Sequence, residues 1–509
     1  MKDVFINGEN LTIENIIDVS RNGKRVSLSE DVEEKVLKAR KVIENAINEN
    51  KVIYGVTTGF GKFSDVVISE KKIKQLQKNL IMSHACGVGK PFDKDVVRAM
   101  MLLRANSLAK GLSGVRLKVI NTLIKMLNKG VHPVIPSQGS VGASGDLTPL
   151  AHMALVMLSL GEAEFNDEIF LGNEVMKKVG IEPLVLESKE GIALINGTQA
   201  MTALGILTLY DAYSLVRSAE ITASLSMEAL RGNIEQYDED IQEARPYQGQ
   251  INCAKNIRKI LDKSELISKG SNKIRVQDPY SFRCIPQVHG AVRNSLNHIK
   301  EVLEVEINSA TDNPLVLSDR GEILSGGNFH GQPVAIVLDF LSIALSELGN
   351  IAERRIDNLV NCRDKTLPPC LIKERGLNSG FMLTQYLAAS LVSENKVLSH
   401  PASVDSIPTA AGQEDFVSMG TIAGRKAKEI LKNVEKIIGI ELLCACQAVD
   451  FHDPKKLGEG TRLAYNLLRD EVSKLETDRV LAPDIEKAIE LIKTGKLLKS
   501  VEELIGKLT

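Results

Sequence analysis

Gly139-Ser140-Val141-Gly142-Ala143-Ser144-Gly145-Asp146 places three glycines at every third position of one short run. Glycine reaches left-handed backbone that other residues resist, so the run predicts a tight and unusual chain path around Ala143-Ser144-Gly145. A nucleophile elbow is excluded, because Gly-x-Ser-x-Gly fails in both registers: Ser144 has Asp146 two residues on, and Ser140 has Gln138 two before. A phosphate loop is excluded too, since no Gly-Lys-Ser/Thr closes the run. Thr148-Pro149 then opens an apolar helix through Leu160, which sets the turn against a helix N-terminus, where backbone N–H groups favour negative charge. Taken alone, the run is compatible with a plain turn.

Working outward, the pattern is helical on both sides. Ser29 with Glu30 and Asp31 starts a helix to about Asn50, and residues 70 to 82 and 94 to 129 repeat apolar side chains every three or four positions. The second is broken near Gly111-Leu112-Ser113-Gly114 and stopped by Gly130 and Pro133. Tyr54 lies in a glycine- and threonine-rich loop over 54–63, and residues before about Ser27 read as short and strand-like. Beyond residue 196, long amphipathic segments cover 198–232, 287–308, 332–362, 377–396, 413–449 and 461–476, with β-type pieces only near Ile169 and over 315–323. The expectation is a mainly all-α protein, a large helical bundle forming one continuous unit, with a loop-bearing amino-terminal region, 1–200, followed by a long-helix region, 201–509.

Composition narrows the function. A net charge of -2 over 509 residues gives no field to gather nucleic acid or an anionic membrane, which leaves a small molecule or a protein as partner. The amino terminus lacks a basic-then-apolar signal pattern, so a cytoplasmic location is expected. Seven scattered cysteines without Cys-x-x-Cys or paired-histidine spacing read as buried free thiols and give no metal site.

Polar clusters interrupt the apolar helices: Asn196-Gly197-Thr198-Gln199, Gln277-Asp278-Pro279-Tyr280-Ser281-Phe282-Arg283, Gly326-Gly327-Asn328-Phe329-His330-Gly331 and Gln413-Glu414-Asp415-Phe416-Val417-Ser418. Each is compatible with turn or cap chemistry; jointly they supply the amides, guanidinium, phenols and carboxylate of a small polar ligand site. With Tyr54, Ser83-His84-Ala85 and Ala143-Ser144-Gly145-Asp146-Leu147, they resemble the aromatic amino acid ammonia-lyase family over nearly the whole chain, closest to its histidine ammonia-lyases.

The resemblance implies a specific chemistry. In that family the Ala-Ser-Gly tripeptide cyclises: the Gly145 nitrogen attacks the Ala143 carbonyl, Ser144 loses its hydroxyl, and a methylidene-imidazolone (MIO) group forms from the chain itself. Side chains offer nucleophiles, acids and bases but no strong carbon electrophile, which an ammonia elimination needs. No metal and no diffusible cofactor is expected. By resemblance Tyr54 is the base for the β-proton, Arg283 meets the substrate carboxylate through its planar fork, Asn196, Gln277 and Tyr280 surround substrate and prosthetic group, and Phe329 packs beside the ring. His84 and Glu414 would meet the substrate ring with two hydrogen-bonding groups, which suits an imidazole. Tyrosine-specific members also carry histidine at the position of His84, so Glu414 decides for L-histidine and trans-urocanate. The chain departs from the family's Asn-Gln-Glu-Asp-His pattern with Gly412 and Phe416. The other histidines read as structural, with His330 nearest the site. The resemblance further implies a homotetramer whose active sites draw residues from three subunits. Alternatives are a tyrosine ammonia-lyase or an MIO aminomutase, and, from another class, a helical scaffold without catalysis.

Overall fold

A computed structural model describes residues 3–362 and 365–509. The chain forms two compact units, each assembled from separate stretches of sequence. The first contains Met1–Leu207, Lys300–Asp339 and Pro401–Arg425; the second contains Thr208–Ile299, Phe340–His400 and Lys426–Thr509. The division at residue 200 therefore follows chain order, whereas the compact bodies are discontinuous.

In the first unit, helix Lys94–Ala109 is buried from Val96 through Ala109, with polar Arg98, Arg104 and Asn106 held by hydrogen bonds. Its one fully buried cation, Arg104, donates to the carbonyls of Ala193 at 2.9 Å and Asn196 at 3.0 Å. A buried guanidinium has to be satisfied in this way, and the bonds fix the approach to residue 197. Helices Leu117–Asn128, Glu70–His84 and Leu147–Met157 pack in the same unit. Short sheets tie the loops: Val88–Pro91 runs antiparallel to Pro136–Gln138, and Glu162–Phe165 pairs with both His132–Pro133 and Glu168–Leu171.

In the second unit, buried acids on long helices are neutralised by buried arginines. Glu441 accepts from Arg355 Nε at 2.6 Å and Nη2 at 2.9 Å, with Thr222 and Ser226 hydroxyls completing its shell. Glu220 takes a fork from Arg293 at 2.7 Å on each oxygen. Pairing of this kind is what permits charges inside an apolar bundle.

The long helices expected beyond residue 196 are present as Gln199–Ala229, Ile285–Glu306, Gln332–Asn361 and Gly420–Val449. The first has 31 residues and spans about 46 Å at ~1.5 Å per residue. Among the described residues one helix, Gln332–Asn361, is long and apolar enough to cross a membrane, and 72% of its most apolar window is buried within the protein.

Several elements differ from expectation, among them the helix expected over 461–476, which runs Glu459–Arg469. The segment read as strand-like before residue 27 holds helix Ile13–Ser20 between parallel strands Val4–Ile6 and Val26–Leu28, with Thr12 and Asn15 forming a reciprocal cap. The helix expected from 377 begins at Met382, because the Ser379 and Gly380 amides turn out to bind Asp478 at 2.7 and 2.9 Å. The one expected from 413 begins at Gly420, and the residues before it are drawn into the site below.

Candidate active site

The glycine run forms a turn capped onto helix Leu147–Met157. Gly142 and Gly145 sit at φ +72° and +70°, where a β-carbon is disfavoured, and a Cβ on Gly145 would strike the Gly197 carbonyl. That closeness has a cause: the two segments are bridged, Asp146 N–H donating to Gly197 O at 2.6 Å and Gly197 N–H to Ser144 O at 3.3 Å. The bridge draws Asn196-Gly197-Thr198-Gln199 onto the turn. From another side, Met419 N–H donates to Val141 O at 2.9 Å and the Ser418 hydroxyl to Gly142 O at 3.3 Å.

Asp146 anchors the turn from beneath. It is fully buried and accepts from the Met201 N–H at 2.8 Å, the Thr421 hydroxyl and the Ser140 hydroxyl. Burial pushes its carboxyl up to about 6, with those donors holding it from rising further.

The turn fits the MIO group. Among the described residues neither the N–H of buried Gly145 nor the carbonyl of Ala143 has a hydrogen-bond partner. These are the two groups that an MIO-forming cyclisation would join, and the fold leaves them uncommitted.

Ser144 opens into a cavity of about 640 Å³ shared with Tyr54, His84 and Glu414 and walled by Phe60, Leu80, Leu147 and Ile192. Its hydroxyl donates to Glu414 Oε1 at 3.2 Å, and Thr409 donates to Oε2 at 2.9 Å. The Tyr54 phenol oxygen accepts the Gly61 N–H at 3.3 Å, and its ring meets Phe60 edge-on. Burial raises the phenol above its ordinary value, the Gly61 donation opposes the rise, and Glu414 adds to it. His84 caps its own helix, Nδ1 lying 2.8 Å from Leu80 O and 3.0 Å from Ser83 Oγ. Burial lowers the His84 pKa and favours the neutral ring, against the Leu80 carbonyl and Glu414.

Of the expected site residues, Tyr54, His84, Ser144 and Glu414 thus line one cavity, with Ala143 and Gly145 in the turn behind it. Asn196 is buried in the same unit, its Nδ2 donating to Asp312 Oδ1 at 3.4 Å and Asn313 O at 3.2 Å, and its Oδ1 unpartnered. Phe329 also belongs to this unit without lining the cavity. Gln277, Tyr280 and Arg283 belong to the second unit. There Tyr280 is 71% exposed, with the Arg283 guanidinium 4.8 Å from its ring centroid.

The two departures have local explanations. Gly412 adopts φ +86° in a turn with open space around it, a conformation glycine reaches freely. Phe416 stacks on His330 at 5.9 Å, and its carbonyl lies 3.2 Å from His330 Nε2. His330 is thereby held beside the Glu414 loop. The cysteines are all free, but Cys86 is exposed and Cys284 and Cys370 are half-buried, so burial of every thiol does not hold; these three sit in or beside turns. Sequence reasoning passed over Thr409, Thr421, Lys62 and Asn79. Thr421 is a hydroxyl whose partner, Asp146, is distant in sequence, Thr409 meets Glu414 only because the turn between them folds back, and Lys62 and Asn79 line the cavity.

This helical fold, with an Ala-Ser-Gly turn facing a phenol, an imidazole and a carboxylate, is that of a carbon–nitrogen lyase. Residues 11–470 match the family model described as aromatic amino acid lyase, and the chain belongs to that family. It is 55% identical to the histidine ammonia-lyase of Alkaliphilus oremlandii, covering 99% of both chains. It is 57% identical to that of Caldanaerobacter subterraneus subsp. tengcongensis, again over 99% of each. Among solved structures, tyrosine aminomutase from Streptomyces globisporus is 38% identical and superposes with a TM-score of 0.95 over 100% of both chains.

Proposed function

We propose that the chain eliminates ammonia from L-histidine to give trans-urocanate, with Ala143, Ser144 and Gly145 forming an MIO group. The observation that carries this reading is the convergence of Ser144, Tyr54, His84 and Glu414 on one cavity. When formed, the MIO group would supply the strong carbon electrophile that an ammonia elimination needs. Tyr54 removes the β-proton, and the Gly61 N–H on its oxygen favours the phenolate that this task requires. His84 and Glu414 hold the imidazole. His84 Nδ1 is occupied by Leu80 O, which leaves Nε2 for the substrate. Arg283 takes the carboxylate, Asn196, Gln277 and Tyr280 orient the reacting groups, and Phe329 packs beside the ring, the residues that do not line this chain's cavity being supplied on this reading by neighbouring copies.

The relatives at 55% and 57% identity named histidine ammonia-lyase support the choice of substrate, as does Glu414. The tyrosine aminomutase is more distant at 38%. A homotetramer belongs to the same reading. In the second unit helix Met382–Leu398 exposes Leu383, Tyr386, Leu387 and Val397, an apolar stripe suited to another copy of the chain. Exposed Tyr280 is free to enter a neighbouring chain's site. The seven free cysteines accord with a reducing cytoplasm.

Intact-protein mass spectrometry and absorbance assays test this together. The wild-type chain should weigh two waters less than its sequence and form urocanate from histidine. Ser144→Ala should keep the fold, retain the full mass and lose turnover. Coumarate from tyrosine without urocanate from histidine would transfer the assignment to the tyrosine branch.

A further inference from the structure

Thr409 and Glu414 are joined three times over. Thr409 N–H donates to Glu414 O at 2.7 Å, Glu414 N–H donates to Thr409 O at 3.3 Å, and the Thr409 hydroxyl donates to Glu414 Oε2 at 2.9 Å. The same hydroxyl lies 3.4 Å from Glu414 O, but that carbonyl already holds the Thr409 amide, and a hydroxyl has one proton to give. The shorter bond to the carboxylate therefore takes it, and a bond to a charged acceptor is the stronger kind.

The turn between these two residues is held against its own preference. Ala410, Ala411 and Gly412 follow one another at φ +47°, +55° and +86°, and two of the three carry a β-carbon. Such backbone persists only where its surroundings over-determine it, and it gathers where a side chain has to be presented in one orientation. Here the surroundings are the Thr409 to Glu414 ladder, the Gly412 N–H on Thr409 O at 2.9 Å, and the Gly61–Phe63 turn packed against it. Ala410 and Glu414 line the cavity, and Thr409 stands behind them.

The two carboxylate oxygens consequently have different fates. Oε1 accepts from Ser144, the hydroxyl that cyclisation gives up, whereas Oε2 is bonded to a residue that the chemistry leaves untouched.

We propose that Thr409 is a positioning residue for substrate recognition, its hydroxyl fixing Oε2 of Glu414 so that Oε1 is presented to the substrate ring. This rests on the histidine reading above. Thr409 touches neither substrate nor reacting atoms and acts through Glu414 alone.

Thr409→Val keeps the branched shape and both backbone bonds and deletes the donor; Thr409→Ser restores a hydroxyl. With the full-length enzyme, ammonia release from histidine and intact mass are measured for wild type, T409V and T409S. T409V should lose about tenfold to hundredfold in kcat/KM, mainly through KM, since losing a bond to a charged group corresponds to one or two factors of ten. It should still weigh two waters less than its sequence, and T409S should recover most of the loss. Three results overturn the proposal: wild-type kinetics in T409V, a loss that T409S does not restore, or a T409V chain that retains its full mass. A wild-type enzyme silent on histidine would instead sink the substrate assignment, so the two failures are distinguishable.

Discussion

At the level of single residues, the proposed choice of substrate rests on Glu414. Its carboxylate is bonded to Ser144 and Thr409 and faces the cavity that Tyr54 and His84 share. Glu414→Gln preserves size and removes charge, and a polar site deprived of its matched partner discriminates steeply. We expect E414Q to lose at least about a hundredfold in kcat/KM for histidine, near 2.7 kcal/mol, while the two waters are still lost from the chain. Equal turnover by E414Q would remove Glu414 from ring recognition. Ser144 was legible from the glycine run and Glu414 from a polar cluster that breaks an apolar pattern, whereas Tyr54 and His84 were picked out through the family resemblance. Thr409 was not legible, because a lone threonine has no sequence signal until the turn folds it back onto its partner. The direction of the Tyr54 shift was equally hidden, since it depends on burial that side chains remote in sequence create.

At the level of elements, the turn at 139–146 is built by segments distant in sequence. Gly197 bridges it on one side, Ser418 and Met419 on another, and Asp146 locks it to Met201 and Thr421. Sequence periodicity locates helices well but misjudges their ends where tertiary bonds compete; residues 413–419 leave the helical pattern because the turn needs their hydroxyls and amides. The Asp146 anchor makes a pH prediction. Its folded value of about 6 lies above the ordinary 3.8, so its contribution is fully present below about 3.8 and is lost as pH rises through about 6. Over that window the loss is on the order of 3 kcal/mol. Asp146→Asn stays neutral throughout. The urea midpoint of D146N should therefore gain on wild type between about pH 4 and pH 7, and a gap that stays constant or widens against the variant would show that Asp146 ionises without cost.

At the level of the whole molecule, the residues of the proposed site are divided between two compact units. Tyr54, His84, Ser144 and Glu414 belong to one, and Gln277, Tyr280 and Arg283 belong to the other. The long helices were plain in the sequence, whereas the discontinuous units were not, because helical periodicity reports which face of a helix is buried and nothing about which distant segment covers it. If the tetramer completes each site by supplying residues from neighbouring copies, two inactive chains can rescue each other. Tyr54→Phe lacks the proposed base and Arg283→Ala the proposed carboxylate partner, so each alone should release little ammonia from histidine. Coexpressed and randomly assembled, about one quarter of sites would draw Tyr54 from an R283A chain and Arg283 from a Y54F chain. Ammonia release near one quarter of the wild-type rate is expected from the mixed oligomer. A site furnished by a single chain gives a different result, because every chain in the mixture carries one lesion and no combination yields an intact site. Mixed oligomers no more active than their parents would therefore place Tyr54 and Arg283 in the same chain's site and remove the reason for assembly to be required for catalysis.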